Sequence, residues 1–134
     1  MIPKDDLTAM ALTMVGEARG EGITGMRCIA HVIMNRAALH TWYGSSPMQV
    51  CLKLYQFSCW NKDDPNDKYL NNLSETDYTY QDAESIAEQV LNGSLEDITD
   101  GATHYKVIGT PAAWAIGKTP CFTYKNHEFF KGIK

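Results

Sequence analysis

The chain has 134 residues, 44% of them hydrophobic and 21% charged, with a formal charge of −4. That is enough for one domain with a real core and too little for two, and it lies well away from disordered or fibrous compositions. Twelve basic against sixteen acidic residues, with no basic tail or zinc-finger spacing, argue against nucleic acid as a partner, and no apolar run reaches the roughly 18 residues that insert stably in a membrane.

In chain order, Asp5 or Asp6 caps a helix whose inward stripe is Leu7, Met10, Ala11, Met14 and Val15. Gly16 and Gly20 predict that this helix frays into a tight bend over Val15–Gly22, a stretch carrying Glu17, Arg19 and Glu21. A second helix follows, with Met26, Ile29, Ala30, Ile33 and Ala37 on one side, ending near His40–Ser45. Ser46-Pro47-Met48-Gln49 reads as a capping box with proline at the first helical position, opening a short helix through Val50 and Leu54. Gln56 to Leu73 shows no period and reads as one long loop, the kind that serves binding or catalysis. Asp77 or Thr79 starts a further helix with Ala83, Ile86, Ala87 and Val90 inward, stopped by Asn92-Gly93. After the Asp100-Gly101 turn, Thr103–Ile108 and Cys121–Tyr124 look extended, and Pro111, Trp114, Gly117 and Pro120 keep the chain between them irregular. The expected fold is α+β and mainly helical, a single domain over residues 1–134 with a loop-rich, small β-containing C-terminal third.

A carboxylic acid serves as a general acid near neutral pH only if it is sheltered. Glu17, at the end of an apolar stripe, is placed for that; Glu21 is expected to be exposed or paired with Arg19. Trp42, Trp60, Trp114, Tyr55, Tyr105 and Tyr124 fall mostly in loops. There they suit either a sugar-binding cleft or a small core closed by large side chains. The four histidines and four cysteines show no metal-ligand spacing, so no metal or cofactor is expected. Four cysteines can pair in three ways, and nothing in their spacing demands a bridge. Cys59 with His104 is the one candidate thiol nucleophile pair, against the plainer reading of Cys59 as a buried, inert thiol.

Four blocks in order then carry a resemblance: Gly16-Glu17-Ala18-Arg19-Gly20-Glu21-Gly22, Asn35-Arg36, Gln56-Phe57-Ser58-Cys59-Trp60 and Gly101-Ala102-Thr103-His104-Tyr105. Together they resemble the SleB-type cell wall hydrolase family, which includes spore-cortex-lytic enzymes and related phage endolysins. The ending Tyr124-Lys125-Asn126-His127-Glu128-Phe129-Phe130 keeps the family's histidine and first aromatic. Lys125 stands where glycine is usual and Phe130 where tyrosine is usual, and Pro111-Ala112-Ala113-Trp114-Ala115 is one residue longer than the family's stretch.

The resemblance implies a lysozyme-like fold acting on peptidoglycan glycan strands, at the β-1,4 bond between N-acetylmuramic acid and N-acetylglucosamine, with Glu17 as general acid. It implies a lytic transglycosylase that closes a 1,6-anhydro ring, with hydrolysis by the same acid as the alternative; a non-catalytic glycan-binding module is the rival outside enzymes. Gln56 and Ser58 are expected to contact the N-acetyl group or orient Glu17, and Trp60 and Trp114 to stack on sugars. His104 and Tyr105 are expected to contact the bridging region or hold loops. Glu21 is expected to be structural, Asn35 and Arg36 to tie the second helix to the catalytic loop, and His127 to pack one end of the cleft. Met1–Asp6 lack a secretory pattern. The expectation is therefore a monomeric phage endolysin, held in the host cytoplasm and released to the wall at lysis, with a trimmed catalytic domain of a secreted bacterial enzyme as the alternative.

Overall fold

Asp5 starts the first helix by a reciprocal cap: its carboxylate accepts the Thr8 N–H at 2.8 Å, and the Thr8 hydroxyl accepts the Asp5 N–H at 3.2 Å. In the computed structural model, which describes residues 1–133, this helix is α1, Asp6–Ala18. It is buried on every side from Thr8 to Gly16, as a helix apolar all round must be. Helices α2 (Gly22–Leu39), α3 (Pro47–Leu52), α4 (Pro65–Asn71) and α5 (Tyr78–Leu91) pack around it.

The fraying expected at Gly16 does not occur. The helix passes through Gly16 and ends at Ala18, and a 3-10 turn, Arg19–Glu21, leads into α2. The glycine serves a close approach instead: a Cβ there would sit 2.6 Å from the Cβ of Cys59 and 2.7 Å from its sulfur. Glu17 therefore projects from a regular last turn, not from a loose bend. Gly16→Ala is expected to lower stability by about 1–3 kcal/mol through overpacking, read as a lower urea midpoint with unchanged slope. An unshifted midpoint would mean that the Cys59 segment yields freely.

Ser46 caps α3, its hydroxyl accepting the Gln49 N–H at 3.2 Å. The Gln49 side chain takes the Ser45 N–H at 2.8 Å, one residue earlier than a standard box, and the helix stops at Leu52 rather than Leu54. The stretch read as one long loop holds a 3-10 turn, Ser58–Trp60, and then α4. Asp64 caps α4 by accepting the Asn66 N–H at 2.8 Å, Pro65 opens it, and Leu70 anchors it in the core. Asp77 caps α5 in the same way, accepting the Tyr80 N–H at 2.9 Å.

The last third forms an antiparallel sheet of β1 (His104–Val107), β2 (Phe122–Tyr124) and β3 (His127–Phe130), in the order β1-β3-β2. The sheet joins α2 through a small second core of Cys28, Val32, Ala102 and Phe129. Polar ties fix the join. Asp97 accepts hydrogen bonds from Asn35 at 2.8 Å and from the Gly101 N–H at 2.9 Å, Asn35 reaches the Ala102 carbonyl at 2.9 Å, and Arg36 reaches the Thr103 carbonyl at 2.6 Å. Asn35 and Arg36 thus hold the start of β1 against α2. This is the mainly helical α+β fold anticipated above. All four cysteines are free, and among the described residues no helix is long and apolar enough to cross a membrane.

Candidate active site

Three separate segments meet at Glu17. The last turn of α1 supplies its carboxylate, β1 supplies Tyr105, and the Ser58–Trp60 turn supplies a backbone N–H. The Tyr105 hydroxyl donates to one carboxylate oxygen, and the Cys59 N–H donates to the other at 3.1 Å. Both oxygens are therefore fixed by protein donors, which sets the direction in which the carboxyl faces. Burial, and then the charge of Glu17, push the Tyr105 phenol well above its ordinary pKa, so it stays a donor.

Glu17 lines an open groove of about 550 Å³. Gln56 and Ser58 enter from the loop after α3, His104 and Tyr105 from β1, Trp114 from the β1–β2 connection, and Trp42, Tyr43 and Tyr55 from the segments flanking α3. Glu17 is the one carboxylate among the described residues of this groove. Trp42 is 62% exposed, with Tyr43 stacked against its ring, and Tyr55 is 83% exposed. Trp114 is braced, its ring 4.9 Å from His104 and 5.2 Å from Phe130. A larger hollow, about 650 Å³ between α4 and the start of α5, has Asp77 as its carboxylate, and that side chain is committed to its helix cap.

Five of the anticipated residues meet around Glu17: Gln56, Ser58, His104, Tyr105 and Trp114. Three do not. Trp60 donates its indole N–H to Thr13 at 2.9 Å and packs against the main core, so it does not line the groove. The Glu21 carboxylate and His127 Nδ1 pair with each other outside the groove. The partner expected for Glu21, Arg19, instead donates to the Val15 carbonyl at 3.3 Å and lies 4.0 Å over the Tyr69 ring. Lys125 adds a bond to the Glu21 carbonyl at 3.2 Å, so this corner pins the β2–β3 hairpin to the turn after α1. The His127 ring lies 5.9 Å from that of Tyr105, so it packs behind a residue of the groove wall without lining the groove itself.

Tyr43 and Arg36 line the groove without having been expected there. Arg36 is 6% exposed, lies between the rings of Tyr43 and Phe57 at 5.0 and 5.1 Å, and has one buried guanidinium nitrogen without a partner. The tandem Trp42-Tyr43 at the end of α2 was the available signal, because the tryptophan belonged to the loop aromatics and its neighbour stacks on it at 4.3 Å.

The thiol nucleophile pair is ruled out by its own surroundings. Cys59 is fully buried, and burial followed by the Glu17 charge pushes its thiol up, away from thiolate. Both His104 nitrogens are occupied elsewhere, by the Tyr43 hydroxyl at 3.1 Å and the Thr103 hydroxyl at 2.9 Å. Burial, and then the Arg36 charge, lower His104 to a pKa of about 4. The sign of its linkage follows. Below pH ~6.5 an unfolded His104 takes up a proton that the native ring refuses down to about pH 4, so stability is lost on acidification across that window. Urea midpoints measured from pH 7 to pH 4 are expected to fall, and to fall less in His104→Gln; identical slopes in the two proteins would refute this.

A sequence model described as cell wall hydrolase matches residues 20–130, beginning just after Glu17. No curated protein matches the chain in sequence. Among solved structures, the catalytic domain of the Bacillus cereus SleB protein matches at 23% identity with a TM-score of 0.72, over 97% of this chain and 95% of that one. The likeness shows a shared fold. With the sequence match running through α2, the groove loops and the sheet, the chain belongs to the cell wall hydrolase family and is a peptidoglycan-cleaving enzyme.

Proposed function

We propose that Glu17 is the general acid that cleaves the β-1,4 bond between N-acetylmuramic acid and N-acetylglucosamine, and that cleavage proceeds by the lytic transglycosylase route. The carrying observation is the count of carboxylates. Glycosidases that use water in the ordinary way set two carboxyl groups about 5–9.5 Å apart across the bond. Among the described residues this groove offers one carboxyl, that of Glu17, and Glu21 is committed to His127 outside it.

A single carboxyl can do both halves of the reaction if the substrate supplies the rest. Glu17 gives its proton to the bridging oxygen, the C1–O bond breaks, and the N-acetylglucosamine side leaves as an alcohol. The muramyl N-acetyl carbonyl stabilises the cationic C1. The ionised Glu17 then removes the proton of the muramyl C6 hydroxyl, O6 bonds to C1, and the acid is restored with no water consumed. Tyr105 and the Cys59 N–H keep the carboxyl aimed at one point for both proton transfers. Gln56 and Ser58 bind the N-acetyl group, and Trp42 and Trp114 receive sugar faces along the groove.

Product mass tests the reading. Digestion of defined peptidoglycan is expected to give muropeptides about 18 Da lighter than their hydrated forms, the mass of the water that hydrolysis would add. Hydrated reducing ends would instead establish a muramidase using the same acid. The working unit is the one domain of residues 1–134, acting as a monomer. It reaches the wall either as a phage endolysin released from the host cytoplasm or as the catalytic domain of a secreted enzyme. Similarity to the SleB catalytic domain favours the second.

A further inference from the structure

The groove does not stop at its aromatic wall. Trp42 and Tyr43 are shared with a second hollow of about 530 Å³, which opens against α3 and is otherwise lined chiefly by Met48, Gln49, Leu52 and Lys53. The two spaces differ in chemistry. Around Glu17, the side chains of Gln56, Ser58, His104 and Tyr105 provide the donors and acceptors that sugar hydroxyls and N-acetyl groups need. Across the wall, Trp42, Met48 and Leu52 supply apolar lining, joined by the polar side chains of Gln49 and Lys53. The Gln49 carbonyl oxygen is already committed to the Ser45 N–H at 2.8 Å. Lys53 forms no ion pair among the described residues, and the nearby Asp6 spends an oxygen on the Met48 N–H at 3.0 Å. A sugar ring finds few direct side-chain partners for its hydroxyls here. A short chain bearing methyl groups and a carboxylate finds apolar side chains and a cation that forms no ion pair among the described residues.

Resting on the peptidoglycan reading above, we propose that this hollow is the site for the stem peptide of a muramyl residue seated in the groove. Its alanine methyls lie against Met48 and Leu52, and a peptide carboxylate meets Lys53. Continuity through Trp42 and Tyr43 lets one substrate occupy both spaces at once. The site also bears on the charge of the chain. A net charge of −4 gives no general attraction to an anionic wall, so recognition falls to individual cations such as Lys53 placed beside the groove.

The test compares intact peptidoglycan with glycan strands freed of peptide by an amidase. Lys53→Glu and Leu52→Gln are expected to raise KM on peptide-bearing strands by about threefold to fivefold, the scale of one exposed ion pair, and to leave peptide-free strands unaffected. Equal losses on both substrates would mean a sugar subsite and overturn the proposal, as would no change on either. Titrating soluble stem tetrapeptide into Glu17→Gln, read by NMR, keeps the test separate from the chemistry. Shifts at the Trp42 indole and Leu52 methyls are expected whether or not the product assignment holds, and their absence would overturn the site alone.

Discussion

Glu17→Gln is expected to lower turnover on peptidoglycan by at least a hundredfold, and by as much as about ten-thousandfold, the range spanned by general acid catalysis. The substitution is a clean one because of what surrounds the carboxyl. The Cys59 N–H needs an acceptor, which the amide oxygen supplies. The amide NH2 then faces the Tyr105 hydroxyl, which can turn and accept instead of donating. Volume and contacts are kept, so circular dichroism and melting temperature should match the parent closely. Only the transferable proton is gone. The matched control is Glu21→Gln, which loosens the pairing with His127 and leaves the groove intact. It should keep most of the activity while melting a few degrees lower, since about 1 kcal/mol moves a domain of this size by roughly 4 °C. Wild-type turnover in Glu17→Gln, or a dead Glu21→Gln that folds normally, would move the acid to another residue.

The parts of this molecule that were legible in the sequence are those written locally. Asp5, Ser46 and Asp77 each cap the helix that follows because an N-cap acts within three residues. The stripes Met10–Met14 and Ile29–Ile33 are buried as read, though α1 is buried on its other sides as well. Asp64-Pro65 carried the same kind of signal for α4, yet that helix has a single fully buried apolar anchor, Leu70, and so shows no period to notice. Strand β3 was invisible for a different reason. His127–Phe130 is four residues long, and what makes it a strand is its pairing with β1 on one side and β2 on the other. Gly16 shows the limit of reading a residue by its habits. Glycine ends helices often, but here its missing side chain admits Cys59, a neighbour 43 positions away along the chain (59 − 16). The site divides the same way. Glu17 could be picked out because it ends an apolar stripe, whereas sorting Trp42 and Trp114 from Trp60 requires knowing that Thr13 waits for the Trp60 indole.

Tyr105→Phe is the second change expected to matter greatly, and it separates holding the acid from being the acid. The phenol lines the groove and donates to Glu17, and its ring is set by Phe129 at 5.8 Å and His127 at 5.9 Å. Phenylalanine keeps that packing, so the ring and the fold should survive. What disappears is one of two hydrogen bonds to the carboxyl, and a hydrogen bond to a charged group contributes about 1.5–3 kcal/mol. If the bond holds Glu17 in its reactive direction, kcat should fall by roughly tenfold to a hundredfold with little change in KM, because Gln56, Ser58 and Trp114, the proposed substrate contacts in the groove, are untouched. The Cys59 N–H remains, so the loss should stop well short of that in Glu17→Gln. Combining the two changes should then cost no more than Glu17→Gln alone, since a positioning group has nothing left to position once the proton donor is removed. Additive losses in the double variant would show that Tyr105 contributes to the reaction independently of Glu17.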